Sequence, residues 1–304
     1  MKIVYAGSPE YAVQPLRALV ESGREIVAVI TQPDKPTGRK RILTPTPVKA
    51  YAQSLGIPVL DYPKIREHAE ELAVLGADIM FTCAYGQLLS QDVLNAFPQG
   101  VYNLHASLLP EFRGASPIQS AILSGCEYTG VTVMKTELAL DCGGILLVKR
   151  CAIGNMTCGE LSNELSSLSA QAVVEAADIL ERGDENLLVQ DEARATYCKK
   201  ISKDDARVDF NKGAKAVANL INAMSPSPAA FAYTGGSPVN LLKAMPCDGA
   251  GECGTVLSAD KRGIVVACAD GAVNISLIQF AGGKPMAAAD AVNGRKIKAG
   301  DRFD

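Results

Sequence analysis

Two residues in the run "GVYNLHASLLPEFRGASP" have the types and spacing to handle a carbonyl oxygen and a proton. Asn103 and His105 stand two apart at the end of an apolar stretch, so on an extended strand both point to one side. Asn offers an amide N–H donor, and His is a donor or a proton carrier near neutral pH. A third group lies in "TELALDCGGILL", where Asp141 precedes the pair Gly143-Gly144, a turn that lets backbone approach a ligand. A carboxylate there could orient the imidazole and favour its charged form. With no activated Ser or Cys nucleophile beside them, the three groups suit a reaction whose nucleophile comes from the substrate. The protein then stabilises an oxyanion and moves protons. Each residue also has an ordinary reading: a hydrogen-bonded His at a strand end, and an Asp in a common Gly turn.

Those side chains need a scaffold, and the apolar pattern supplies one. "KIVYA" (2–6), "EIVAVIT" (25–31), "ADIMFTCA" (77–84) and "GVYNLH" are apolar runs of strand length. They alternate with helical patterns over about 9–22, 47–55 and 63–76 and in "ASPIQSAILSG", and "GVTVMKT" and "ILLVKR" add strands. This alternation predicts an α/β, doubly wound, mostly parallel sheet covered on both faces. In such a sheet, ligands bind at the carboxyl ends of strands, where Asn103 and His105 fall. The first turn, "AGSPE", lacks G-x-G-x-x-G, so no dinucleotide fingerprint is present. A helix over about 158–182 and a polar stretch follow. After Phe210 come one helix (about 213–224) and about five short strands with Gly and Asp-Gly turns, which predicts a small β-barrel. The expected division is therefore 1–188, a linker at 189–204, and a β-barrel domain at 205–304.

Composition narrows the function classes. The 304 residues carry a net charge of −3, so the chain as a whole is no generic polyanion binder. Locally, "KPTGRKRILTPTPVK" holds Lys35, Arg39, Lys40, Arg41 and Lys49 with no acid among them. Residues 205–304 hold 11 Lys and Arg against 9 Asp and Glu, too near balance to argue nucleic acid alone. No run is long and apolar enough for a membrane span, and the short apolar start reads as a strand rather than a signal peptide, so a cytoplasmic protein is expected. Nine scattered cysteines without a C-x-x-C pair, and only two histidines (His68 and His105), predict free thiols and no metal site.

"NLHASLLPEFRGASPIQSAI" resembles the N-x-H…SLLP…RGA-x-P-I motif of the N10-formyltetrahydrofolate-dependent formyltransferases, and "ELALDCGGILL" resembles their L-D-x-G motif. "MKIVYAGSPEYA", "TQPDKPTGRKRILTPTPVKAYA", "CAYGQLLS", "ISKDDARVDF", "SPSPAAFAY", "GTVLSADKRGIVVACADG" and "NGRKIKAGDRF" resemble, in order, segments of members that act on an aminoacyl-tRNA. The resemblance spans nearly the whole chain. It implies a Rossmann-like catalytic domain, an OB-like barrel, and formyl transfer from 10-formyltetrahydrofolate to the α-amine of methionine on initiator tRNA. It implies Asn103, His105 and Asp141 as the catalytic trio. Gly86, Gln87, Leu88 and Leu89 would border the folate through backbone groups, and Ser107, Leu108, Leu109 and Pro110 would shape the same cleft. Lys35, Arg39, Lys40, Arg41 and Lys49 would meet the tRNA, with Arg39 the closest contact. No metal and no membrane are implied, and a monomer is expected. The family's second motif usually reads G-L-D-T-G-D; here Ala139, Cys142 and Gly144 replace its Gly, Thr and second acid. Ser227 stands where the barrel usually has Trp. Two rival readings are a formyltransferase acting on an amino-sugar nucleotide and an inactive folate- or RNA-binding homologue.

Overall fold

A computed structural model describes residues 1–38 and 41–304. It divides into two compact units. The first comprises residues 1–114, 129–151 and 162–197, and the second 115–128, 152–161 and 198–304.

The first unit is built on a seven-stranded sheet. Its strands are β1 (Lys2–Gly7), β2 (Glu25–Ile30), β5 (Val59–Leu60), β6 (Ile79–Cys83), β7 (Val101–His105), β9 (Tyr128–Lys135) and β10 (Ile145–Ala152). They lie in the order β10-β9-β7-β6-β1-β2-β5. Pairing is parallel from β5 through β7, and antiparallel between β7 and β9. Every residue of β6 is buried, as expected of a strand covered on both faces. Val4, Ala6, Ala28, Ile30, Met80 and Val101 form one apolar layer with Ile65, Leu72, Val93 and Phe97. Around the sheet run α1 (Val13–Glu21), α2 (Pro47–Ser54), α3 (Ala69–Val74), α4 (Gln91–Asn95) and most of α6 (Cys158–Arg182). Thr46 caps α2 by accepting from the Lys49 N–H, with Pro47 preorganising its first turn. The stretch 63–76, expected as one helix, is a 3-10 turn at Ile65–Glu67 and then α3. The Ile65 N–H donates to the Gln87 side chain instead of entering a longer helix. The basic loop is partly a hairpin of β3 (Lys35–Thr37) and β4 (Ile42–Thr44). Two strands of two residues each, β8 (Arg113–Gly114) and β11 (Tyr197–Cys198), pair with one another as a separate small ladder.

The second unit holds α5 (Pro117–Leu123), α7 (Ala214–Ala223), α8 (Ala288–Asn293) and an antiparallel sheet. Its strands are β12 (Ala230–Thr234), β13 (Ser237–Cys247), β14 (Val256–Asp260), β15 (Gly263–Ala267), β16 (Ala272–Phe280) and β17 (Met286–Ala287). The order is β12-β13-β16-β15-β14, with β17 on β16. Residues 301–304 bind both ends of that row. Asp304 and Tyr233 of β12 exchange backbone hydrogen bonds, Phe303 donates to Gly254, and Val256 of β14 donates to Asp301. Gly254 is required there, since φ is +85° and a Cβ would lie 2.3 Å from the Phe303 carbonyl. Val217, Ile221, Val239, Leu241, Ile264, Ile275 and Phe303 share one buried core.

Candidate active site

The chain order and the sheet order part company at β1. From there the chain runs out through β2 to β5, then returns to β6 and β7 on the other side. In open sheets of this kind a ligand binds at the carboxyl ends of the strands flanking such a reversal, here β1 and β6, beside β7. Asn103 and His105 lie at that end of β7, on one face. Asn103 is in register with Thr82 of β6 on one side and Met134 of β9 on the other. His105 faces Thr132.

Both side chains are oriented by neighbours. The Thr82 hydroxyl donates to Asn103 Oδ1 at 2.8 Å, which fixes the amide and leaves its NH₂ for an outside acceptor. His105 is buried, and its Nε2 lies 2.9 Å from the Phe112 carbonyl oxygen. A carbonyl only accepts, so Nε2 carries a hydrogen and Nδ1 is the nitrogen left to gain or lose one. Nδ1 faces Asp141 Oδ2 at 3.6 Å, so a carboxylate stands beside the free ring nitrogen without a direct hydrogen bond to it. Phe112 reaches this position in the left-handed region, at φ +60°, with its own N–H donating to the Thr196 hydroxyl at 2.8 Å.

Asp141 also sits in the left-handed region, at φ +51°, and its Oδ2 accepts from the Gly114 N–H at 2.8 Å. The loop behind it closes because Gly143 has no side chain; a Cβ there would stand 1.8 Å from the Lys135 carbonyl oxygen. Asp141, read as a trio partner, thus lies beside His105, and Gly143 closes the loop behind it. The neighbouring departure, Cys142, points away to the Ala139 carbonyl at 3.4 Å, and burial raises its thiol pKa.

The expected folate segments follow the two central strands. After β6 the backbone turns at Ala84 (φ +47°) and Gly86 (φ +80°). The space beside Gly86 is open: a Cβ there would meet only the Gln32 amide, at 3.9 Å. The Gln87 side chain is committed elsewhere, accepting from the Ile65 N–H and donating to the Tyr62 carbonyl, both at 2.7 Å. Leu88 is exposed and Leu89 packs against the apolar layer. After β7, the Ser107 hydroxyl donates to the Glu111 carbonyl, and Thr132 accepts from the Leu109 N–H and donates to the Ser107 carbonyl. Leu109 packs on Met134 and Ile145, Pro110 is buried, and Leu108 is half-buried. These segments present backbone and apolar surface, the surface a flat aromatic ring system with amide edges requires.

Of the basic residues, Lys35 and Arg41 are exposed on the hairpin. Arg39 and Lys40 lie outside the described residues. Lys49 departs from the expectation. Its ammonium is held between Asp61 at 2.7 Å and Asp34 at 2.9 Å, and those bonds, Asp61 first, raise its pKa. Asp34 stands one residue before the acid-free window and Asp61 twelve residues after Lys49, so the window concealed both.

Sequence reasoning missed a second layer of polar groups. Arg113 is among the largest fully buried side chains. Its guanidinium donates to Gln190 Oε1 (2.8 and 3.1 Å), to Glu192 (2.6 and 2.9 Å) and to the Tyr197 hydroxyl (3.2 Å). Glu192 first, then Tyr197, raises the Arg113 pKa, and Arg113 lowers that of Glu192. The signal was present in "FRGASP", but partners 77 and 79 residues away carry no local pattern. Among the described residues no group of His, Cys, Asp or Glu could hold a metal ion, and no helix is long and apolar enough to cross a membrane.

Known proteins resemble this chain over its whole length. Residues 1–177 match the family model described as formyl transferase, and residues 200–296 that of the formyl transferase C-terminal domain. The methionyl-tRNA formyltransferase of Stutzerimonas stutzeri is 44% identical over 97% of this chain and 95% of its own length. That of Chromobacterium violaceum is 43% identical over 100% of this chain and 99% of its own. An N-formyltransferase from Helicobacter canadensis, solved with folinic acid and dTDP-3-aminofucose, shares the fold. Its TM-score is 0.67 at 18% identity, covering 90% of this chain and 98% of that one. With a family model over more than half its length and full-length relatives above two-fifths identity, the chain belongs to the formyl transferase family, on its methionyl-tRNA formyltransferase branch.

Proposed function

We infer that this chain transfers the formyl group of 10-formyltetrahydrofolate to the α-amine of methionine esterified to initiator tRNA, giving formylmethionyl-tRNA. The observation that carries the reading is the pairing of an oriented Asn103 amide with a His105 ring whose Nε2 is tied to a carbonyl and whose Nδ1 faces a carboxylate. When bound, the folate supplies a formyl carbon bonded to N10. The substrate amine has a pKa of roughly 7.7–8.0 before the ester lowers it, so a neutral fraction is available near pH 7.

The remaining chemistry falls to the protein. Asn103 Nδ2 donates to the oxygen that gains charge as the amine adds. The His105 Nδ1 position carries the proton that the amine loses and returns it toward N10 as that bond breaks, and Asp141 holds the charge of the intervening imidazolium. One C–N bond forms, one breaks, and one proton moves between the two nitrogens, with no change of oxidation state.

We further propose catalysis by residues 1–188, connection through 189–204 and tRNA binding aided by 205–304. Lys35 and Arg41 would meet the acceptor end together with Arg39 and Lys40 of the same basic sequence run, with Lys49 bracing the hairpin's root. A cytoplasmic monomer is the proposed working form. Full-length similarity and the basic hairpin favour tRNA over an amino-sugar nucleotide as acceptor. The test is incubation with 10-formyltetrahydrofolate and charged initiator tRNA in one arm and a dTDP-amino-sugar in the other. Formylmethionine released from the tRNA arm is the expected result. Product only with the sugar, or with neither, would overturn the reading.

A further inference from the structure

Gln190 sits in the stretch expected to serve only as a linker, yet it is buried and uses its whole amide. Its Oε1 accepts twice from Arg113. That fixes which way the amide faces, because a guanidinium only donates. Its Nε2 then donates to two carbonyls of one loop, Asp141 at 2.9 Å and Gly143 at 2.8 Å. Arg113 is held in turn by Glu192 and Tyr197. The residue after Arg113, Gly114, donates its N–H to the Asp141 carboxylate. Asp141 is thus gripped at its backbone by Gln190 and at its side chain by the Arg113–Gly114 segment, in a left-handed conformation that Asp tolerates better than most non-glycine residues.

We propose that Gln190, oriented by Arg113, is a positioning residue for the transfer reaction: it holds the Asp141 loop so that the carboxylate faces His105 Nδ1. The inference rests on the reading of Asn103, His105 and Asp141 given above. It places no contact between Gln190 and substrate; the effect passes through Asp141. An untethered loop would let the carboxylate drift from the imidazole, and a misplacement of about 1 Å can cost on the order of 10²-fold in rate.

Gln190→Glu is the informative variant. It retains the acceptor for Arg113, so the buried guanidinium stays paired, but it cannot donate to the Asp141 and Gly143 carbonyls and repels them. Gln190→Met, of similar bulk, removes both functions. With the full chain, 10-formyltetrahydrofolate and charged initiator tRNA, each variant should lower kcat about 10- to 100-fold. The KM for both substrates should stay within about threefold, as expected when an interaction acts chiefly on the transition state. The discriminating measurement is a double-mutant cycle. In an Asp141→Asn background, Gln190→Glu should cost less than about threefold, because two residues acting through one group are not additive.

Unchanged kcat in Gln190→Glu overturns the proposal. So does an undiminished loss in the Asp141→Asn background, since that marks a general structural role. If both Gln190 variants fail to fold, the residue is scaffold and the proposal falls. Active Gln190 variants beside an inactive Asp141→Asn would overturn this inference alone. A fully active Asp141→Asn would remove the trio reading and this inference with it.

Discussion

At the residue scale, the site is defined by what each neighbour can and cannot do in a hydrogen bond. A hydroxyl from β6 sets the Asn103 amide, and a backbone carbonyl sets the His105 ring. Each leaves one working atom. Losing a preorganised donor of this kind typically costs about 10²–10³ in kcat. Asn103→Ala, which removes that donor, and His105→Ala, which removes the proton carrier, are each expected to cut turnover at least about a hundredfold. Folate binding, followed by fluorescence or calorimetry, should persist in both. Turnover within a few-fold of wild type in either variant would refute the assignment. Thr82→Val removes only the hydroxyl that orients the amide. It should lower kcat by about tenfold, less than Asn103→Ala, since the donor is still present but no longer fixed. The comparison of the two kcat values checks the order.

At the element scale, the strand ends do the positioning, and most of them are legible in the sequence. Continuous apolar runs marked β1, β2, β6 and β7, because a strand buried on both faces needs no polar alternation. The i, i+2 spacing placed Asn103 and His105 on one side of β7. What could not be read are features set by partners distant in sequence. The two-residue strand β8 exists only because β11, more than eighty residues on, pairs with it. Gln190 and Glu192 looked like linker residues because nothing nearby in sequence announces a buried arginine. Lys49 looked free because Asp34 and Asp61 lie outside the acid-free window. In the second unit, Phe303 is buried in the core and its ring lies 6.0 Å from that of Phe210. Phe303→Ala is expected to destabilise that unit by about 3–5 kcal/mol, read from urea unfolding. A loss under about 1 kcal/mol would mean the ring is not part of the core.

At the scale of the whole molecule, charge and protonation give two further tests. The chain is net negative, so attraction to tRNA must come from local basic groups. Lys35→Ala with Arg41→Ala should weaken tRNA use and reduce the salt slope by about one for each phosphate left unneutralised. Lys49→Met should leave the slope unchanged, since its charge is already answered by two carboxylates. Stability should also depend on alkaline pH. Burial pushes the thiols of Cys83 and Cys268 up to about 12 and that of Cys158 up to about 11, against 9.0 when unfolded. The folded state then keeps protons that the unfolded chain gives up. The associated stability is whole below pH 9.0 and is lost as pH rises through the folded values. Unfolding free energy measured by urea at pH 8, 9 and 10 should fall across the last step; a rise would contradict the assignment of these thiols to the interior.

The seam made by residues 301–304 has a temporal meaning as well. Those residues are synthesised after every strand they join, so the Tyr233 end of β12 and the Val256 end of β14 keep open backbone groups until residues 301–304 emerge, although Val208 already donates to Phe231 of β12. Nascent chains emerge N-terminal part first, and open strand edges invite pairing with other chains. The sheet unit is therefore at greatest risk of misassociation in the interval just before residues 301–304 leave the ribosome.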